Sequence, residues 1–306
     1  MSFDHLQDQI RAMKNPTVVG LDPKPEYVPP HILQACYEEF GANLAGAVHA
    51  VYRFNCGLMD ALSGIVPAVK PQSAYYERLG WRGMKMLERT IAYAKEKGYF
   101  VIADVKRGDI GSTAQAYSEA WLGKTQIGEG AFAAFGADCV TVNGYMGSDA
   151  VNPFLDTCRA EDKCLFVLVK TSNPSSGELQ DRMAGDRLVY QVMGELTQRL
   201  GGTAGKYGFT PAGAVVGATY PSDLQELRRR LEQTFFLVPG YGAQGGTAAD
   251  VRYAFDKHGH GAIVNSSRGI MCAWQKTGKN GEDYQEAARN AAIAMRDDIR
   301  QFVTIA

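Results

Sequence analysis

Eight short apolar or β-branched runs recur along the chain, and their rhythm constrains the fold more than any other feature. They are TVVGLD (17–22), PAVKPQ (67–72), FVIADVK (100–106), DCVTVN (138–143), CLFVLVKT (164–171), GAVVGAT (213–219), FFLVPG (235–240) and GAIVNSS (261–267). Most are near-continuously apolar, as strands buried on both faces of a parallel sheet must be. Amphipathic patterns lie between them. Met84, Leu87, Ile91 and Ala94 share a helical stripe that stops at Gly98. Leu224, Leu227 and Leu231 follow Pro221, where Ser222 and Gln225 have capping-box spacing. Tyr284, Ala288, Ala291, Met295, Ile299 and Phe302 form a last stripe. Phe3, Leu6, Ile10 and Met13 predict a short helix ahead of the first strand, placed to cover one barrel end.

Strands alternating with helices at a spacing of about 35 residues predict an α/β chain, a (β/α)8 TIM barrel forming a single domain over 1–306. The rival is a doubly wound open sheet, but GLDPKPEYVPP after the first strand is no GxGxxG turn. No linker composition marks a domain boundary. One stretch, 172–213, breaks the rhythm: it opens with polar, Pro- and Gly-containing sequence and is expected to become helical near Asp186. A long loop directly after a strand reads as a lid over the barrel mouth, around 173–185.

Composition excludes several function classes. The 32 basic and 33 acidic residues leave a net charge of −1, without the basic excess that nucleic-acid binding needs. No apolar run approaches the roughly 18–20 residues that cross a bilayer. The N-terminal MSFDHLQDQIRAM has neither the basic start nor the apolar core of a signal peptide, so a soluble, cytoplasmic protein is expected. Six scattered cysteines without a CxxC argue against a disulfide framework and against structural zinc, and Cys139 reads as a small core residue. His258 and His260, in DKHGHGA, lie in a Gly-rich turn without a matching acidic or cysteine partner and read as a solvated loop rather than a metal site.

In such a barrel the active site lies at the C-terminal ends of the strands. Those ends carry Asp22, Lys70, Asp104 with Lys106, Asn143, Thr171 with Ser172, Gln244 beyond the seventh strand and Arg268 after the eighth. A purely structural barrel has no need of charged groups at so many mouths. The sharpest signal is Asp104-Val105-Lys106-Arg107-Gly108-Asp109. Residues i and i+2 of a strand point the same way, so Asp104 and Lys106 can both face inward while Val105 faces the helices. A lysine beside two carboxylates has its ammonium form favoured, by roughly 4 kcal/mol for charges about 4 Å apart at an effective dielectric of about 20. Such a lysine is a poor Schiff-base nucleophile and a good general acid. Taken alone, the hexapeptide fits a structural salt-bridge cluster equally well. VPGYGAQGG (238–246) and SSRGI (266–270) add Gly-rich turns where barrels bind phosphate, with Arg268 able to grip a dianion and Gln244 able to reach it.

Together Lys70, DVKRGDIGSTA, VKTSNP and the last two loops resemble the orotidine 5′-phosphate decarboxylase family, in its longer bacterial (type 2) subfamily; the resemblance runs from GLDP (20–23) to SSRGI. It implies decarboxylation of orotidine 5′-monophosphate to UMP, a step of pyrimidine biosynthesis, without a metal or organic cofactor. Lys70, Asp104, Lys106 and Asp109 would be the charged tetrad, with Lys106 protonating C6. Asp109 and Thr113 would reach across a homodimer interface into the partner's site. Asp22 and Lys70 would contact ribose hydroxyls, Ser172 would read the pyrimidine, Gln244 and Arg268 would hold the 5′-phosphate, and the loop from Asn173 would close over substrate. Asn143 belongs to the expected substrate contacts too, although Gly144 follows it where proline is the commoner family residue; Val105 likewise stands where alanine is common. Two other readings compete. Metal-dependent sugar-phosphate barrels, such as hexulose-phosphate synthase or keto-gulonate-phosphate decarboxylases, share DxKxxD but place an acidic metal ligand where this chain has Lys70. The other is a non-catalytic nucleotide-binding barrel.

Overall fold

Residues 2–242 and 245–306 are described by a computed structural model. Each apolar run marks one barrel strand, with one strand ending a residue later and one starting a residue earlier than its run: β1 (Thr17–Leu21), β2 (Ala68–Pro71), β3 (Phe100–Arg107), β4 (Cys139–Val142), β5 (Cys164–Lys170), β6 (Ala212–Val216), β7 (Phe236–Val238) and β8 (Ala262–Ser266). All eight are parallel, each pairs with its sequence neighbours, and β8 closes on β1. The chain is therefore the closed (β/α)8 barrel, not the open sheet.

Strand parity sorts the side chains into layers. Val19, Val69, Val101, Val140 and Val167 belong to the large cluster between strands and outer helices. Val18, Ala68, Phe100, Ile102, Cys139 and Phe166 belong to a second cluster that fills the barrel from below. The N-terminal helix Ser2–Met13 supplies Phe3, Leu6 and Ile10 to that second cluster and so plugs the bottom of the barrel. Phe3 stacks on Phe235 with centroids 4.7 Å apart and tilts against Phe166 at 5.1 Å. The fill gives out toward the other end, where the same inward parity brings Lys70, Asp104 and Thr141 into the mouth.

Local expectations changed in three places. Helix Pro221–Arg230 has no capping box: Pro221 is its first residue, and the Ser222 hydroxyl lies 3.4 Å from its neighbour Asp223 instead. The last helix, Tyr284–Arg300, stops short of Phe302, which is exposed, and Val303 takes the inward place. After β5 the chain forms a 3-10 turn at Pro174–Glu178 and then a small hairpin, Met183–Ala184 with Arg187–Leu188, so its helix starts at Val189 and not near Asp186. Gly185, at φ +71°, turns that hairpin, and the Gln191 side chain accepts from the Leu188 amide at the helix start. A further hairpin, Thr125–Ile127 with Gly130–Phe132, precedes β4; its three-residue strands left no periodic signal to read. Among the described residues no helix is long and apolar enough to cross a membrane.

The plug should carry much of the stability. Phe3→Ala removes a ring that is 2% exposed, and is expected to lower the unfolding free energy by about 3–5 kcal/mol with an unchanged urea m-value. A loss below about 1 kcal/mol would mean that the helix is an accessory.

Candidate active site

Above the filled part of the barrel lies a cavity of about 700 Å3, lined by residues from the ends of most of the strands. At its floor sits Asp104, with a side chain only 8% exposed. Four side chains donate to its carboxylate. Lys70 Nζ lies 2.7 Å and Gln72 Nε2 3.0 Å from Oδ2; Lys106 Nζ lies 2.6 Å and Thr141 Oγ1 2.9 Å from Oδ1. Burial alone would raise the Asp104 pKa, but the Lys70 and Lys106 ammoniums outweigh it and hold the carboxyl well below its ordinary range. For Lys70 burial works downward, and the charges of Asp104 and Asp22 outweigh that, so its pKa is raised.

The two lysines differ in how they are held. Lys70, near the end of β2, is buried, whereas the Lys106 side chain is 46% exposed and reaches the cavity. Asp104 and Lys106 do lie on the same side, and Val105 is buried among the outer core residues. The backbone between them is not a plain strand. Register between β3 and β4 jumps from Ala103↔Val140 to Arg107↔Val142, which leaves extra residues on β3, and Lys106 adopts φ +46°. That conformation is rare for a residue with a Cβ and is stored where a site requires it. The Lys106 amide donates to Thr141 Oγ1 at 2.9 Å, and the same hydroxyl donates onward to Asp104.

Asp22, Lys70, Asp104, Lys106, Ser172 and Arg268 all line this one cavity. One carboxylate oxygen of Asp22 is buried without a hydrogen-bond partner, an acceptor left open for a hydroxyl donor. Gly20 explains how β1 comes so close to β8: a Cβ there would lie 1.9 Å from Ser267 Oγ. Arg268 opens the short helix that follows β8, with its guanidinium exposed at the rim. Asp109, Thr113 and Asn143 do not line the cavity of their own chain. Asp109 accepts from the Ile110 amide, Thr113 is exposed, and the exposed Asn143 accepts from the Tyr145 amide. The tetrad is thus three-quarters assembled within one chain, and Asn143 is no contact of that cavity. Gln244 lies outside the described residues. His258 and His260, whose rings are 5.9 Å apart, do not line the cavity; their backbone amides both donate to the Asp256 carboxylate.

The cavity also holds residues that the sequence did not single out: Gln72 and Thr141 on Asp104, Lys24, Tyr75, Gln180 and Asn265. Gln72 and Thr141 could have been found by parity, because one stands two residues beyond Lys70 and the other points inward from β4. Gln180 could not, since it belongs to an irregular loop.

A buried, doubly paired acid beside a half-exposed ammonium, at the mouth of a (β/α)8 barrel with an arginine at its rim, is an arrangement that can hold an anionic small molecule and hand it a proton. A model of the orotidine 5′-phosphate decarboxylase / HUMPS family matches residues 18–280, and the chain belongs to this family. An orotidine 5′-phosphate decarboxylase from Rhodopirellula baltica is 42% identical over 289 residues, covering 93% of this chain and 94% of its own. One from Clostridium perfringens is 40% identical over 306 residues and 99% of both chains. Among solved structures, Leishmania donovani OMP decarboxylase superposes with a TM-score of 0.70 at 31% identity, over 97% of this chain and 99% of its own.

The lowered pKa of Asp104 fixes the sign of a pH effect. The folded chain keeps this carboxylate ionised at pH values where the unfolded chain, whose carboxyl titrates near 3.8, takes up a proton. The stabilisation is therefore complete above that value and is lost as pH falls below it. Asp104→Asn should unfold more easily than wild type near neutrality, and the difference should shrink between about pH 5 and about pH 3 in urea titrations. A gap that widens in acid would contradict the pairing.

Proposed function

We propose that this chain decarboxylates orotidine 5′-monophosphate to UMP, with Lys106 as the proton donor to C6. The observation that carries the reading is the Lys70–Asp104–Lys106 cluster at the cavity floor, with both carboxylate oxygens of Asp104 held by an ammonium. Loss of CO2 from C6 leaves an in-plane electron pair that the pyrimidine ring delocalises poorly. A fixed ammonium at Lys106 stabilises that charge as it develops and then delivers a proton to the same carbon. Asp104, ionised in the resting site, faces the departing carboxylate and disfavours bound substrate relative to the transition state.

The remaining residues supply binding and orientation. Asp22, with its open acceptor oxygen, and Lys70 take the ribose hydroxyls, Ser172 takes the pyrimidine, and Arg268 together with Gln244 takes the 5′-phosphate. The loop over 173–185 closes on this assembly; Asn173 and Gln180 already line the cavity. No step calls on a metal or an organic cofactor. A sugar-phosphate barrel that needs a metal is disfavoured by the donor set, since Lys70, Gln72, Lys106 and Thr141 already occupy the Asp104 carboxylate. A non-catalytic nucleotide sensor would have no use for two charges packed on one buried acid, given their desolvation cost.

Asp109 and Thr113 complete the site of a second copy in a homodimer. Exposed apolar side chains support that reading: Ile110, next to Asp109, is 52% exposed, and Tyr145 and Met146, in the loop after β4, are 75% and 56% exposed. Six unpaired thiols suit a reducing, cytoplasmic setting.

Lys106→Ala should lower turnover by about a thousandfold or more and leave the melting temperature near wild type; normal turnover would remove the proton donor. Arg268→Ala should raise KM for the phosphorylated substrate, and an unchanged KM would refute the phosphate grip. The shared site has its own test. Lys106→Ala and Asp109→Asn chains, each inactive alone, should regain about a quarter of wild-type activity when mixed, because half the dimers are hybrids with one intact site. No recovery after verified subunit exchange would put Asp109 in its own chain's site or in none.

A further inference from the structure

Lys170 ends β5, two residues before Ser172, and takes no part in the charged cluster or in the cavity wall. Its side chain is 0% exposed. Register explains where it points: Val215 pairs with Leu168 but Val216 pairs with Lys170, so Val169 is an extra residue and the strand bulges just before the lysine. The ammonium enters a cage between the faces of Tyr190 and Tyr220, 4.9 and 4.7 Å from their centroids. Two carboxylates attend it. Asp181, in the loop after β5, bonds it directly; Asp223, on helix Pro221–Arg230, lies 3.7 Å away.

These two acids belong to parts with different freedom. Asp223 sits on a packed helix, whereas Asp181 is 43% exposed and lies on the loop that carries Asn173 and Gln180 into the cavity. The neighbouring Gln180 doubles the attachment. Its Oε1 accepts from the Thr171 amide at 2.9 Å and its Nε2 donates to the Thr171 hydroxyl at 2.7 Å. The strand end Lys170-Thr171 is thus clasped by the loop pair Gln180-Asp181. If the loop lifted away, a buried cation would lose its direct partner, which is among the costliest states a core can hold. Asp223 is already placed to take it: burial raises the Asp223 pKa, and the nearby Lys170 ammonium offsets only part of that rise.

We infer that Lys170 is a positioning residue for the decarboxylation site, a pivot whose ammonium pairs with Asp181 when the loop is closed and passes to Asp223 when it opens. The closed pairing holds Thr171, and through it Ser172, in register with the loop. The open pairing keeps the cost of release low. This rests on the closing loop of the proposed function, and the two acids are then competitors: removing one should favour closure and removing the other should oppose it.

Limited trypsin digestion reads the loop, because Arg182 and Arg187 are both exposed on it. In wild type, UMP should slow cleavage at these two sites. Asp181→Asn should raise cleavage in the presence of UMP about tenfold and raise KM more than it changes kcat. Asp223→Asn should move both the other way, with slower cleavage, lower KM and lower kcat as product release lags. In a Lys170→Met background the two substitutions should no longer diverge. Absence of UMP protection in wild type would reject the closing loop itself. Protection in wild type with both variants shifting in the same direction, or diverging equally without Lys170, would reject the handover alone. Asp181 is half-exposed and its loss leaves the core packed, so Asp181→Asn suffices even if Asp223→Asn does not fold. Wild-type cleavage and KM in that single variant would overturn the proposal.

Discussion

The carboxylate of Asp104 is the point on which the upper half of the barrel is organised. It is buried, it is ionised, and its four donors come from β2, the residues just after β2, β3 and β4. A single buried acid could not persist there unpaired, and two buried or half-buried ammoniums could not sit so close without it. Each charge is tolerable only because the others are present. The cost of desolvation is thereby converted into fixed geometry, since Lys106 cannot wander without uncovering Asp104.

That arrangement depends on the lower half being full. Phe3 and its neighbours from the N-terminal helix close the barrel from below, so water reaches Asp104 only through the mouth. Low dielectric strengthens the attraction of both lysines for the acid and makes a proton donor more effective than it would be in water. Packing and chemistry are two consequences of one inward parity: the residues that are aromatic or aliphatic low in β2, β3 and β4 become Lys70, Asp104 and Thr141 higher up.

This parity is also what made the molecule legible. Eight runs of continuous apolar residues lead to eight parallel strands with few ends displaced, because burial on both faces leaves little room for another composition. Asp22, Lys70, Asp104, Lys106, Ser172 and Arg268 follow from asking which polar residues end those strands, and all six meet in one cavity. What escaped depends on tertiary contact. Gln180 reaches the cavity from an irregular loop. Arg228 escaped as well: in sequence it is one of three consecutive helix arginines, yet it is buried and donates to the carbonyls of Ala254, Gly261, Leu231 and Thr234. Nothing local distinguishes it from Arg229 or Arg230. The missing capping box at Ser222 is a local failure of another kind, since Pro221 already supplies a preset φ at the helix start and the serine is not needed there.

The two lysines that act at a distance from one another share a device. Lys106 lies within a register jump on β3 and Lys170 follows one on β5. A regular strand offers a side chain only two directions, inward or outward. Inward at the level of Lys106 would continue the line of Asp104, and the bulge with its positive φ instead turns the ammonium back onto that acid while leaving it open to the cavity. At Lys170 the extra residue diverts the ammonium from the cavity into the tyrosine cage between the outer helices and the loop. The positive φ of Lys106 is retained because surrounding contacts over-determine it, above all the Thr141 hydroxyl on the Lys106 amide. Both irregularities in an otherwise regular barrel therefore fall where a cation has to be aimed, one onto the acid at the cavity floor and the other into the cage beside the loop after β5.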